Sequence, residues 1–156
     1  MTPRKAHEIF TLRAELEAFA VRLVFERGGY SAETMQALEL TLAALGDAAD
    51  TGKVFAAAEQ DMRFHDLLSR ECGHQELLDL LAGLRLQMRR FIVLTKLVNS
   101  DIEPEALTHR RLLDVIRRGD AQQAAHEVRA HILAAGEHLL KKLAAEFGDG
   151  LKPAVA

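Results

Sequence analysis

Apolar side chains recur along this chain at the three- and four-residue spacings of amphipathic helices. Short glycine-containing segments separate the periodic stretches, and the strict alternation that is typical of strands is missing. The pattern predicts a single all-α domain of six helices. They cover about residues 5–27, 32–50, 54–72, 76–98, 104–118 and 121–147, and Ser31 and Asp120 are the predicted N-caps of the second and sixth helices.

The last two predicted helices form a hairpin around the dipeptide Gly119-Asp120. His109 lies ten residues before Gly119, and His131 lies eleven residues after Asp120. Residues equidistant from the turn of an antiparallel hairpin lie side by side, so we expect the two histidines at the same level. Both belong to apolar helix faces, His131 with Ala135. Two imidazoles in a core are costly unless they have polar partners.

A third histidine, His65, lies on the apolar face of the third helix, four residues after Asp61. This spacing puts carboxylate and imidazole on one face. Asp61 could simply bond His65, or the two could be presented together to a metal. With His109 and His131, they make a donor set that suits a divalent transition metal such as Zn, Ni, Mn or Fe. Spacing alone leaves both interpretations open, and His138 is a further candidate at the edge of the core.

Arginines provide candidate anion-binding groups. Arg13 interrupts the predicted buried stripe of the first helix, which otherwise holds Ile9, Leu16, Ala20 and Leu23. Arg13 either extends its guanidinium to solvent from the edge of the core or is a buried cation that needs an anion. The fourth helix carries three arginines, which usually form a solvated face. Arg89 is the candidate among them for a cavity that holds an anionic ligand.

Composition narrows the class of protein. Of the 156 residues, 49% are hydrophobic, which is enough to form a packed core, and 28% are charged. The net charge of −3 argues against a surface that binds nucleic acid. Cys72 is the single cysteine, so no internal disulfide is possible. No apolar run resembles a signal peptide or a membrane span, and we expect a cytoplasmic protein that does not associate with membranes.

Enzyme signatures are missing from the sequence. The run from His126 to His131 reads H-E-x-x-x-H, one residue longer than the zinc-protease motif. There is no glycine-rich phosphate loop, and no arrangement of serine, histidine and aspartate can be argued. We therefore predict a protein that is not an enzyme. A metal-dependent hydrolase or lyase, and a helical interaction module without a ligand, are the two alternatives.

Three segments together resemble a known family. They are TLRAELEAFAVRL with Arg13, Leu16 and Glu17, then DMRFHDLLSRECG with Asp61 and His65, and finally HRRLLDVIRRGDAQQAAHEVRAH from His109 to His131. In order and spacing they resemble the effector-binding C-terminal (FCD) domain of the FadR subfamily of GntR-type bacterial transcription regulators. The resemblance covers roughly residues 10–147.

The resemblance implies an antiparallel bundle of six to seven helices. It implies that four side chains bind a divalent metal in the core: Asp61, His65, His109 and His131. A nearby arginine, which Arg13 matches, would help to hold a small carboxylate effector. Relatives that bind fatty acyl-CoA lack the histidine set, which favours the metal-binding branch here. A homodimer is also implied, with the first and fourth helices as the expected interface.

Two departures from the family pattern affect these expectations. Thr108 stands where the family commonly has a glutamate before the second histidine. The winged-helix DNA-binding domain that precedes Arg13 in the family is absent from this chain. We therefore expect residues 1–147 to form the effector- and metal-binding domain, residues 148–156 to be a frayed tail, and operator DNA to be bound only through the missing domain.

Overall fold

The computed structural model describes residues 2–96 and 105–147, and within these ranges it contains six α-helices and no strand. The helices are α1 (Pro3–Glu26), α2 (Ala32–Asp50), α3 (Val54–Arg70), α4 (Gln75–Lys96), α5 (Glu105–Arg117) and α6 (Ala121–Phe147). The predicted all-α class is confirmed, and most predicted bounds lie within about two residues of those observed, the usual uncertainty of helix ends. The predictions for Pro104 and for the tail 148–156 fall outside the described residues.

Side chains cap the N-termini of four described helices, and at α4 the ring Nδ1 of His74 accepts a hydrogen bond from the backbone N–H of Leu77 at 3.2 Å. The hydroxyl of Thr2 accepts a hydrogen bond from the backbone N–H of Lys5 at 3.2 Å. Ser31 accepts from the N–H of Thr34 at 3.1 Å, and Asp120 accepts from that of Gln123 at 2.9 Å. Each cap satisfies an N–H group that the first turn of a helix leaves without a partner. The N-caps predicted at Ser31 and Asp120 are therefore confirmed.

The longest helix–helix interface joins α1 and α6, which run antiparallel. Glu15 of α1 pairs with Arg129 of α6 at 2.5 Å, and farther along Phe10 lies against Gly136. The other packed pairs are α2 with α3, α3 with α4, α5 with α6, α2 with α5, and α1 with both α3 and α4. Helix α1 thus contacts three elements that surround the middle of the bundle.

The α5–α6 hairpin has the turn that the sequence predicts. Gly119 adopts a φ of +79°, a conformation that residues with a Cβ rarely take. Glu39 of α2 holds α5 from the outside, with Oε2 at 2.7 Å from Nη1 of Arg110 and a second ion pair to Arg117. Helix α5 is therefore attached to α6 by the turn and to α2 by ion pairs.

Apolar side chains from all six helices form the core, with Phe64, Leu113 and Ile132 among the most completely buried. Within this core lie four buried groups that can carry charge: Arg13, Glu17, His65 and His109. None of the described helices has the length and hydropathy needed to cross a membrane. These four buried groups locate the candidate functional site in the core.

Candidate metal and effector site

Three histidines from three helices converge in the core. His65 of α3, His109 of α5 and His131 of α6 each offer one ring nitrogen, and these nitrogens all lie within 4.8 Å of one another. The ring centroids of His109 and His131 are 4.4 Å apart, which confirms that the two lie level across the hairpin. The rings of His65 and His131 are stacked, with centroids 5.3 Å apart. We refer to these three residues as the histidine cluster.

Asp61 adds a carboxylate to the histidine cluster, but its closest partner is on another helix. Its Oδ1 lies 2.9 Å from Nε2 of His109 and 3.9 Å from Nε2 of His65. The simple hydrogen bond within α3 that the four-residue spacing suggested is therefore wrong, because 3.9 Å is too long for one. Asp61 lies instead between the imidazoles of His65 and His109, and among the described residues the ligand atoms within 4.8 Å of one another are those of the three histidines.

Burial and neighbouring charges set the protonation states at this site. Burial lowers the pKa of His65, although the Glu17 carboxylate opposes this. Burial and the nearby His109 and His65 lower the pKa of His131 to about 2. Burial alone would raise the pKa of Asp61, but the hydrogen bond and charge of His109 bring it well below its usual range. Neutral imidazoles and an ionised carboxylate are the forms that bind metals.

Glu17 is the buried residue that the sequence analysis did not place in the site. Its side chain has no exposed surface, and its two oxygens contact different partners. Oε2 lies 2.7 Å from Nδ1 of His65, and Oε1 lies 2.5 Å from Nε of Arg13. Burial would raise the pKa of Glu17, but Arg13 and His65 lower it to about 2. The four-residue spacing of Arg13 and Glu17 was the signal available in the sequence.

Arg13 is buried, with 3% of its surface exposed, so the second of the two interpretations of this residue holds. Its Nε donates to Glu17, and its Nη1 lies 3.2 Å from the sulfur of Met88. Its Nη2 is buried without a hydrogen-bond partner among the described residues. A buried donor without a partner costs about 1–3 kcal/mol. The guanidinium therefore has one terminal NH₂ group, Nη2, available for an anion.

The remaining candidates lie elsewhere. The side chain of Arg89 is exposed on α4, one residue after Met88, and forms no ion pair with the described residues of the site. His138 is also exposed and not part of the cluster, as are His7, His74 and His126. Ala135 is exposed as well, so His131 lies nearer the edge of the α6 core face than predicted. The site residues that the structure brings together are thus Arg13, Asp61 and the histidine cluster, joined by Glu17.

The chain matches a known protein family. The family described as FCD domain matches residues 8–134, which is most of the chain and includes every residue of the site. The chain therefore belongs to the FCD domain family, the C-terminal effector-binding domain of GntR-family transcription regulators. No curated protein sequence matches the chain.

Proposed function

We propose that this effector-binding domain holds a divalent transition metal through Asp61, His65, His109 and His131, and that it senses a small carboxylate beside Arg13. Three imidazole nitrogens and one carboxylate are a donor set that suits Zn, Ni, Mn or Fe. The convergence of the three ring nitrogens within 4.8 Å, with Asp61 beside them, supports the metal site. When bound, the metal would supply open coordination positions to a carboxylate ligand.

The charges of the site support the binding of a divalent cation and, after it, of an anionic ligand. Asp61 and Glu17 are ionised, Arg13 is always protonated, and the imidazoles that ligate a metal are neutral. With all three imidazoles in the neutral form that binds a metal, these residues together carry one net negative charge. A divalent cation changes this to one positive charge, and a single carboxylate then brings it to zero. Buried charge is tolerated when it is paired, so the positive charge left by the metal favours binding of the carboxylate, and the two additions together leave the site neutral.

The observation that carries the effector proposal is that Nη2 of Arg13 has no hydrogen-bond partner within the described part of the chain. Because Nε is bonded to Glu17, the guanidinium is fixed in orientation before any ligand arrives. A carboxylate that accepts from Nη2 would form a charge-assisted hydrogen bond, which is stronger than one between neutral groups. Helix α4 closes this side through Met88. A small carboxylate fits this description better than a long apolar ligand.

In a regulator, such binding acts by favouring one conformation of the bundle. We expect the change to reach operator DNA through a separate winged-helix domain, within a homodimer in which α1 and α4 form the interface. The domain itself is proposed to bind its ligand without converting it. The effector must interact differently with the two conformations to have any effect on DNA binding.

The metal is tested first, by elemental analysis of the purified protein beside the double variant Asp61→Ala/His65→Ala. About one transition metal per chain in the wild type, and its loss in the variant, is the expected result. A wild type without metal that also cannot be reloaded would overturn the proposal. The histidines would then be structural residues of a helical interaction module.

The effector is tested next, by calorimetric titration of the metal-loaded protein with a panel of mono-, di- and tricarboxylates. Arg13→Lys keeps a cation beside Glu17 but loses the fork of the guanidinium, so we expect weaker carboxylate binding and retained metal. Arg89→Lys is the matched control, and a loss in this variant instead would assign the effector contact to Arg89. If the same protein turned over esters, amides or hydroxy acids, the proposed sensor function would be wrong and the protein would be a hydrolase or lyase.

A further inference from the structure

Glu17 contacts the proposed metal site without being one of its ligands. It is completely buried on α1, and both of its oxygens are engaged by other side chains, Arg13 and His65. A buried glutamate is rare unless it is paired. The pairing with Arg13 alone would neutralise its charge, so the contact with His65 calls for a separate explanation.

The contact with Glu17 determines which nitrogen of His65 carries the hydrogen. An ionised carboxylate can only accept hydrogen bonds, so the 2.7 Å contact requires a hydrogen on Nδ1 of His65. In a neutral imidazole the other nitrogen then has a free lone pair. That nitrogen, Nε2, is the one on the side of Asp61, at 3.9 Å from its Oδ1. The lone pair of His65 therefore lies on the side of Asp61, which is itself a proposed ligand.

We infer that Glu17 is a positioning residue that fixes the tautomer and ring orientation of His65, so that Nε2 is presented to a divalent transition metal. The inference rests on the proposed metal binding. Carboxylates that hold a metal-binding histidine in this way raise metal affinity, and their loss typically costs about 10- to 100-fold. Arg13 takes part indirectly, because its Nε holds the other oxygen of Glu17 at 2.5 Å.

The variant Glu17→Gln tests the inference with almost no change in side-chain shape. The amide oxygen can accept from Nε of Arg13, which leaves the NH₂ group facing His65. That group donates, so His65 must offer the lone pair of Nδ1 and carry its hydrogen on Nε2. The hydrogen would then point at the metal position, where a lone pair is needed. Glu15→Gln, an exposed change two residues away on α1, is the control.

Two measurements follow. Long-range ¹H–¹⁵N NMR of the metal-free proteins reports the His65 tautomer, and titration with Co²⁺ reports metal affinity. We expect the Nδ1–H tautomer in the wild type and in Glu15→Gln, and the Nε2–H tautomer in Glu17→Gln. We also expect Co²⁺ affinity to fall about 10- to 100-fold in Glu17→Gln alone, with a helical circular dichroism spectrum retained.

The outcomes separate the positioning role from the metal site. An Nε2–H tautomer in the wild type overturns the role of Glu17, even if the variant fails to fold. Unchanged Co²⁺ affinity in a folded Glu17→Gln overturns it as well, while the metal site stands. A wild type that shows the Nδ1–H tautomer but binds no Co²⁺ overturns the proposed function, and the positioning role with it.

Discussion

Gly136 of α6 lies so close to Phe10 of α1 that a Cβ on the glycine would be 2.7 Å from Cγ of the phenylalanine ring. This is well inside the ordinary contact distance between carbon atoms. The atoms concerned are Cβ and Cγ of Phe10, near the backbone, which cannot move aside easily. The approach of α1 to α6 at this point therefore depends on the missing side chain.

We predict that Gly136→Ala destabilises the protein by up to about 2 kcal/mol, because overpacking of about 1–3 kcal/mol is only partly offset by the helix-propensity gain of about 1 kcal/mol. Gly83→Ala is the control, since a Cβ there meets no atom within 4 Å, and it should leave stability equal or higher. Urea denaturation of both variants checks this. If Gly136→Ala were as stable as Gly83→Ala, α1 and α6 would be able to move apart without a loss in the free energy of unfolding.

Glu71, directly after α3, binds the beginning of α2. Its carboxylate accepts hydrogen bonds from the backbone N–H of Ser31 at 2.9 Å, from the Ser31 hydroxyl at 2.6 Å and from the Thr34 hydroxyl at 2.8 Å. We predict that Glu71→Gln costs about 1 kcal/mol at neutral pH, because bonds to a charged acceptor are weakened. Glu59→Gln, an exposed change on α3, should have almost no effect in the same denaturation experiment.

The Glu71 interaction also predicts a pH dependence. Partial burial opposes ionisation, but the hydrogen bonds from Ser31 and Thr34 lower the pKa of Glu71 below its usual value. A lowered pKa in the folded state means that the stabilisation is complete above the unfolded pKa of about 4.3 and is lost as the pH falls through the folded value. The stability difference between wild type and Glu71→Gln should therefore be constant near pH 7 and shrink below about pH 4. A difference that grows in acid would contradict this sign.

The double variant His109→Ala/His131→Ala tests the role of these two histidines as metal ligands. Because these residues supply two of the four proposed ligands, we expect metal binding to be lost in calorimetric titration with Zn²⁺ or Ni²⁺. His126→Ala changes an exposed histidine on the same helix as His131 and should bind like the wild type. Equal affinities for the double variant and the wild type would remove these two residues from the site.

Metal addition should also stabilise the folded protein. A ligand that binds only the native state at 100 times its Kd adds about 2.7 kcal/mol, which corresponds to a rise in Tm of about 5–10 °C for a domain of this size. Differential scanning fluorimetry with and without a chelator measures the rise. Asp61→Ala/His65→Ala should show none. Equal Tm values for wild type with metal and with chelator would argue against a bound cation.

The parts of the site that depend on local spacing were predictable from the sequence. The equal distances of His109 and His131 from the Gly119-Asp120 turn placed the two rings together, and the structure has them 4.4 Å apart. The apolar face around His65 likewise placed this residue in the core, where it is 1% exposed. In both cases helix periodicity and one turn determine the position, and both can be read from neighbouring residues.

The contacts between distant segments could not be predicted in this way. A glutamate on a helix is normally exposed, and one of the two partners of the buried Glu17 is His65, which lies 48 positions farther along the chain. The four-residue spacing places Asp61 beside His65 on α3, yet the shorter contact of Asp61 is with His109 on α5. Helix crossing determines these pairs, and the sequence pattern of one helix does not contain that information.

Helix α5 is held on two sides by interactions that differ in their response to ionic strength. Its outer face is bound to α2 by the ion pairs of Glu39 with Arg110 and Arg117, whose side chains are 30–46% exposed. Dissolved salt screens exposed pairs strongly and buried ones much less. On the inner face of α5, His109 contacts Asp61, and the side chain of His109 is only 1% exposed. Rising salt should therefore loosen α5 from α2 while leaving its histidine in place, so that the helix can pivot about its buried side.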